Sequence, residues 1–171
     1  MENRSREMVF TDLKDMLKQT GEVYAGNIAY RIKNNDGTKK EITHGQFRDE
    51  INQLGTELIS MGLKGKRIAV ISENRYEWEQ AYLAIATGTG VVVPLDKSLP
   101  ENELESLILR SEVEAIFYSK KYDEIMKKMH DKGYSKLKYF ISMDIDEKID
   151  YVYSQKQLVR EGKKKLESGD Q

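Results

Sequence analysis

Short apolar runs alternate along the chain with segments whose apolar residues recur every three or four positions, most regularly after Lys64. The apolar runs lie at residues 66–72, 91–94, 115–118 and 137–141. A continuous run of this length is typical of a strand buried on both faces, and such strands belong to parallel sheets because crossover helices cover both sides. The pattern therefore predicts an α/β fold with a doubly wound, mainly parallel sheet and flanking helices.

The segments between these strands have the spacing and end signals of helices. Polar pairs three residues apart, which can satisfy the free N–H groups of a first helical turn, occur at Thr43 and Gln46, Ser98 and Glu101, and Ser154 and Gln157. Further helices are predicted over 76–88 and 120–132, and Gly62 and Gly133 have the position of helix ends. The inward face of the 76–88 helix is expected to consist of Trp78, Ala81, Tyr82, Ile85 and Ala86.

The first 43 residues have a different pattern. Residues 10–20 predict a short helix, and strict alternation over 27–33 predicts a strand with one exposed face. The turn residues Asn34–Gly37 and a returning strand over 38–43 would complete a peripheral β-hairpin. We therefore divide the chain into a lead-in (1–26), a hairpin (27–43) and an α/β core (44–171), of which residues 163–171 are expected to fray.

Charge and composition exclude several classes of partner. The sequence has 28 Lys and Arg against 29 Asp and Glu, so it offers no electrostatic case for binding nucleic acid or anionic membrane. No apolar run approaches the roughly 20 residues of a transmembrane helix, and residues 1–10 lack the apolar core of a secretory signal, so we expect a cytoplasmic protein. Two distant histidines and no cysteine make a metal site improbable.

Sequence motifs for catalysis are not found. Gly88-Thr89-Gly90 lacks the third glycine of a dinucleotide fingerprint and follows a helix rather than opening one, so a helix end and turn is favoured. The sequence contains no Walker-type phosphate loop, no Gly-x-Ser-x-Gly elbow and no cysteine nucleophile. We assign no catalytic, cofactor-binding or metal-binding residue.

Two loops are nevertheless placed where open α/β sheets bind ligands, just past the carboxyl ends of strands. In loop 72–75, Asn74 and Arg75 could bind an anion, and in loop 94–98, Asp96 or Ser98 could bind a hydroxyl group. The structural alternative, which we favour, pairs Arg75 with a carboxylate such as Glu79 and uses Asn74 as a helix cap.

Four segments resemble a known family. Residues 42–47 (ITHGQF), 62–69 (GLKGKRIA), 74–78 (NRYEW) and 90–94 (GVVVP) are similar, in order and spacing, to the N-terminal part of AMP-binding acyl-CoA synthetases of the adenylate-forming superfamily. The resemblance extends from about residue 28 to 118, with His44 where the family usually has an aromatic residue. The segment PLDKSLP at 94–100 resembles the long-chain fatty acid subgroup.

The resemblance implies a parent reaction in which a fatty acid, ATP and CoA give acyl-CoA, AMP and pyrophosphate through an acyl-adenylate. The parent would use ATP, Mg²⁺ and CoA. We assign none of them to this chain, because the family's phosphate loop, adenine motif, ribose-binding Asp and C-terminal Lys match no position here. By family layout the phosphate loop would begin shortly after Gln171, so we expect an N-terminal subdomain fragment without turnover, whose partner is the rest of the polypeptide.

Two alternatives remain open at this point. The chain could be a stand-alone α/β module that binds a small ligand at loops 72–75 and 94–98, or a non-catalytic interaction domain. A truncated sheet would also leave an uncovered edge, which predicts self-association.

Overall fold

The computed structural model describes residues 8–33 and 37–169. Its helices are α1 (Leu13–Val23), α2 (His44–Ser60), α3 (Tyr76–Ala84), α4 (Glu101–Arg110), α5 (Asp123–Asp131) and α6 (Gln155–Ser168). Its strands are β1 (Ile28–Lys33), β2 (Lys39–Thr43), β3 (Arg67–Ile71), β4 (Val91–Pro94), β5 (Ala115–Tyr118), β6 (Tyr139–Ser142) and β7 (Val152–Ser154). A π-helical turn (Ile85–Thr89) extends α3, and a 3₁₀ turn (Lys120–Tyr122) precedes α5.

Five strands form one parallel sheet in the order β4-β3-β5-β6-β7. Side chains of β3 alternate between the two faces: Ile68 and Val70 join a core with α1, α2, α3 and α6, whereas Ala69 and Ile71 join a core with α4 and α5. Helices thus cover both faces, which explains why β3 and β5 read as apolar runs. The predicted doubly wound α/β fold is confirmed.

Two of the three predicted capping pairs are present. The Thr43 hydroxyl accepts from Gln46 N while Gln46 Oε1 accepts from Thr43 N, a complete capping box for α2. At α6 only the first half is present: the Ser154 hydroxyl accepts from Gln157 N, whereas Gln157 Oε1 accepts from Lys148 N. The prediction at Ser98 is wrong, because α4 starts after Pro100 without a side-chain cap. Ser98 is held instead by Asp96 Oδ1, which accepts from its N–H at 2.8 Å and its hydroxyl at 2.6 Å.

Burial near β4 differs from the prediction. An all-valine run indicates burial on both faces, yet β4 lies at the edge of the sheet and Val91 is 54% exposed. The helix beside it follows the prediction in part: Ala81 and Ile85 are buried as expected, but Trp78, Tyr82 and Ala86 are only half-buried. Tyr76, Gln80 and Ala84 are buried instead. One cause is the contact with α2, where the Tyr76 hydroxyl and Gln80 Nε2 both donate to Glu50 Oε2.

The C-terminal region is more ordered than its composition suggests. Strand β7 was not predicted, and α6 continues to Ser168 through residues expected to fray. Helix α6 packs closely on α2, since a Cβ placed on Gly162 would lie 1.8 Å from the carbonyl oxygen of Gln53. Near its end, Lys165 Nζ lies 2.6 Å from the buried carboxylate of Glu57.

Strands β1 and β2 form the predicted hairpin as a separate antiparallel sheet. Residues 34–36 of its predicted turn lie outside the described residues. On the inner face, Tyr30 packs edge-on against Phe47 and Tyr76 at centroid distances of 4.8 and 5.0 Å. Ile42 is buried beside them. The hairpin is therefore anchored to α2 and α3 through one face.

Within residues 8–33 and 37–169, no helix is long and apolar enough to cross a bilayer.

Candidate functional site

The best-placed site for a ligand lies at the carboxyl ends of β3 and β5. These strands are neighbours, but the chain leaves β3 towards α3 on one face of the sheet and leaves β5 towards α5 on the other. Such a reversal opens a crevice between the two loops, and open α/β sheets bind ligands there. The loops after β4 and β6 border the same edge.

Arg75, the strongest cation of the predicted site, is occupied by two carboxylates. Its Nε donates to Glu77 Oε2 at 2.7 Å and its Nη1 donates to Asp144 Oδ1 at 2.8 Å. Burial alone would lower the pKa of Arg75, but these bonds outweigh it and the pKa is raised. The structural alternative is correct in kind but wrong in the partner, because Glu79 instead accepts from the hydroxyl of Tyr30.

Asp144 ties three loops together. Besides the bond from Arg75 in the loop after β3, its Oδ2 accepts from the backbone N–H of Lys120 after β5 at 2.7 Å. Partial burial raises the pKa of the Asp144 carboxyl, yet the bonds from Arg75 and Lys120 N outweigh it and the pKa lies below its usual value. Asp144 is not among the site residues predicted from the sequence. Its position directly after a strand was the available signal.

A buried hydroxyl lies deeper in the crevice. Ser119 is 1% exposed, and its Oγ has no hydrogen-bond partner of standard geometry among the described residues. It lies beside the Glu73 carboxylate, whose pKa it lowers. The Ser72 hydroxyl donates to the carbonyl oxygen of Glu73 at 2.7 Å.

The two predicted loops do meet, through Lys97 Nζ and Asn74 Oδ1 at 3.4 Å. Asn74 does not cap α3, because Arg75 is the N-cap residue and no side chain caps that helix. Asp96 is engaged by Ser98, whose hydroxyl and N–H lower the pKa of its carboxyl. Each of the four polar residues predicted from the sequence thus has a partner within the chain, and Asp96 and Ser98 bond to each other.

Gly88-Thr89-Gly90 ends the helix and turns into β4, as expected. A Cβ on Gly90 would lie 2.3 Å from the Lys66 carbonyl oxygen, so this glycine is required by packing against the chain itself. The Thr89 hydroxyl donates to the Ala84 carbonyl oxygen at 2.9 Å. Both contacts are structural.

Two groups at the carboxyl edge that could bind a phosphate are already paired. A phosphate site needs free backbone N–H groups or uncompensated cations. Here Arg75 is held by two carboxylates, and the backbone N–H of Lys120 already bonds to Asp144. Among the described residues, no three His, Asp or Glu side chains cluster closely enough to hold a metal ion.

Comparison with known proteins decides the family. The sequence profile described as "AMP-binding enzyme" matches residues 17–168, nearly the whole chain. The chain belongs to this family. AMP-binding membership confirms the resemblance seen in the four N-terminal segments.

Curated relatives match parts of this AMP-binding chain. Fatty acyl-CoA synthetase A of Dictyostelium discoideum is 33% identical over 81 residues, which are 47% of this chain and 12% of that protein. A candidate acyl-CoA ligase of Bacillus subtilis strain 168, YdaB, is 30% identical over 96 residues, or 56% of this chain and 18% of that protein. The chain thus spans less than a fifth of these relatives.

Solved structures show the same fold. Coronafacic acid ligase from Pectobacterium brasiliense superposes with a TM-score of 0.74 at 21% identity, over 87% of this chain and 29% of that one. At this identity the likeness establishes the fold alone. The α/β sheet described above is thus a fold that adenylate-forming enzymes contain as one part.

Proposed function

We propose that this chain is the first α/β subdomain of an ATP-dependent acid–thiol ligase. The parent enzyme would join a carboxylic acid to CoA through an acyl-adenylate, with release of AMP and pyrophosphate. The observation that carries this proposal is the family match over residues 17–168. The small share of each relative that the chain spans supports a role as one part of a longer polypeptide.

The chemistry of the carboxyl edge supports a structural role for the chain. Arg75, Asp144 and Asp96 are all committed to internal bonds. ATP, Mg²⁺ and CoA would therefore be bound by other parts of the parent, and this chain alone would have no turnover. We assign it the task of holding those parts in place.

For the acid substrate we propose a fatty acid. The resemblance of residues 94–100 to the long-chain fatty acid subgroup supports this choice, as does the name of the Dictyostelium relative. We also propose that the parent works in the cytoplasm, where fatty acid activation has access to ATP and CoA.

The test is an activity assay on the purified 171-residue chain. It would be incubated with ATP, Mg²⁺, CoA and fatty acids of graded length, and pyrophosphate and acyl-CoA would be measured. We expect neither product. The control is the protein purified from its native source at its natural length, which should form acyl-CoA from fatty acids. Acyl-CoA formation by the 171-residue chain, or its absence from the native protein, would refute the proposal.

A thermal-shift measurement separates the alternatives. ATP, an acyl-AMP analogue and CoA should each leave the melting temperature of the 171-residue chain unchanged, because we propose that they bind to other parts of the parent. A concentration-dependent rise with any of the three would favour a stand-alone binding module.

A further inference from the structure

In the described part of the chain four strands have an open edge, namely β1, β2, β4 and β7, and these edges differ in what they offer a partner. On β4, alternate residues direct their backbone groups outwards. Pro94 has no N–H, and the N–H of Gly90 already donates to the Ile85 carbonyl oxygen at 3.0 Å. The opposite edge strand, β7, has only three residues. Both edges of the five-stranded sheet are therefore poor templates for another strand.

The edge of β1 is different. This strand has six residues, contains no proline and pairs on one side only, with β2. Every second residue therefore presents an N–H and a C=O group to its open edge. An isolated two-stranded sheet is marginal and needs a third strand or packing against a helix. This hairpin has the helix contacts on its inner face, and its open edge leaves room for a further strand.

A cleft of about 680 Å³ follows this open edge. One wall consists of four consecutive residues of β1, from Tyr30 to Lys33. The opposite wall is the start of α3 with the loop before it, and Lys156 of α6 closes the end. None of the described residues that line the cleft belongs to β2, so the cleft lies along the unpaired side of β1.

Charge adds a preference for the side chains of an occupant. Lys33 lies directly opposite Lys39 in the hairpin register, and like charges opposite each other are destabilising. Lys33 lines the cleft, whereas Lys39 does not. An acidic side chain on an added strand would offset this repulsion at the Lys33 end.

We propose that the open edge of β1 is the docking site for an extended, acidic strand supplied by the part of the AMP-binding enzyme that lies outside these 171 residues. This inference rests on the proposed function. The related ligase fold is more than three times longer than the portion matched here, because the match covers 29% of it. We choose β1 over β2, the other open edge of the hairpin, because four consecutive residues of β1 line the cleft and none of β2 does.

Hydrogen exchange of the β1 amides tests the proposal. The protein from its native source, at its natural length, would be compared by mass spectrometry with the recombinant 171-residue chain. We expect the open-edge amides of β1 to exchange on the order of a hundredfold more slowly in the native protein, because new interstrand hydrogen bonds must open first. The amides of β4 serve as the internal reference.

The outcomes separate this inference from the proposed function. A longer native protein with protected β1 amides supports both. If the native protein is longer but its β1 amides exchange as fast as in the 171-residue chain, the docking site is wrong and the proposed function stands. A native protein that has no further polypeptide contradicts the proposed function and the docking site together.

A matched pair of charge reversals tests the cleft itself. Lys33→Glu and Lys39→Glu both convert the opposed lysines into a Lys–Glu pair, so they should affect the isolated hairpin equally. In the native-length protein, Lys33→Glu should reduce β1 protection about tenfold or more by repelling an acidic strand, and Lys39→Glu should not. Equal effects of the two variants on β1 protection would overturn the assignment of the strand to this edge.

Discussion

The five-stranded sheet and the hairpin are both β-structure, but they obtain their stability in different ways. Helices cover both faces of the large sheet, and its central side chains, such as Phe117 and Ile141, are fully buried. The hairpin packs through one face only, with Tyr30 and Ile32 half-buried. The two faces of the large sheet are therefore covered by helices of this chain. The hairpin depends partly on what contacts its open side.

The strongest test of this contrast is Phe117→Ala. Phe117 lies on the central strand β5 and is 0% exposed, so its removal leaves a cavity between the sheet and the helices. We expect a loss of about 3–5 kcal/mol in the free energy of unfolding. Urea denaturation followed by circular dichroism measures it. A loss below about 1 kcal/mol would contradict the view that the sheet carries the stability.

Gly162→Ala tests the packing of α6 on α2. The added methyl group would collide with the Gln53 carbonyl oxygen, so the helices must separate, and overpacking of this kind costs about 1–3 kcal/mol. Gly26→Ala is the matched control, because a Cβ there meets no atom within 4 Å. Thermal melts of both variants would decide. Equal stability would show that α6 is not firmly docked.

Asp144→Asn tests the tie between the loops at the carboxyl edge. It weakens the bonds from Arg75 and Lys120 N, and we expect a loss of about 1–2 kcal/mol at neutral pH. Because the pKa of Asp144 is lowered on folding, its contribution is present above its usual pKa of 3.8 and is lost as the pH falls through the lowered value.

The pH profile gives the matching control. Urea melts between pH 2 and 6 should show a shallower acid limb for Asp144→Asn than for the natural chain. Asp146→Asn removes a largely exposed carboxylate whose ion pair with Lys156 is screened by solvent, so it should change that limb less than Asp144→Asn does. If the stability of Asp144→Asn falls with acid pH as steeply as that of the natural chain, the Asp144 carboxylate does not contribute to the loss of stability in acid.

The smallest expected effect is that of Ile32→Ala in the hairpin. Ile32 is half-buried, so we expect a loss of about 1 kcal/mol, confined to local opening. Hydrogen exchange should accelerate in β1 and β2 and remain unchanged in β3 and β5. Acceleration throughout the sheet would show that hairpin and sheet unfold as one unit, which would remove the contrast.

Much of the sheet could be predicted because local signals and burial agree there. Strand β5 has the predicted bounds, and β3 lies within the predicted run. Failures occur where position in the fold decides. The valines of β4 have the pattern of a buried strand but lie at an edge, and β7 is too short to form a pattern. Ser98 has the spacing of a cap, yet nearby Asp96 competes for it.

The sequence predicted where the candidate site lies, but not which side chains bond to each other there. Strand ends located loops 72–75 and 94–98 correctly beside each other. The partner of Arg75 could not be predicted, because Asp144 is distant in sequence and reaches Arg75 only through the order of the strands. Long-range pairing of this kind leaves no periodic signal in a single sequence.

The Asp144 carboxylate also has a mechanical consequence. Through bonds of 2.7 and 2.8 Å it joins loops that leave three neighbouring strands, β3, β5 and β6. Because one carboxylate bonds to all three loops, they cannot move independently of one another. The carboxyl edge is therefore cross-linked across three strands, so a displacement of any one of these loops should displace the other two.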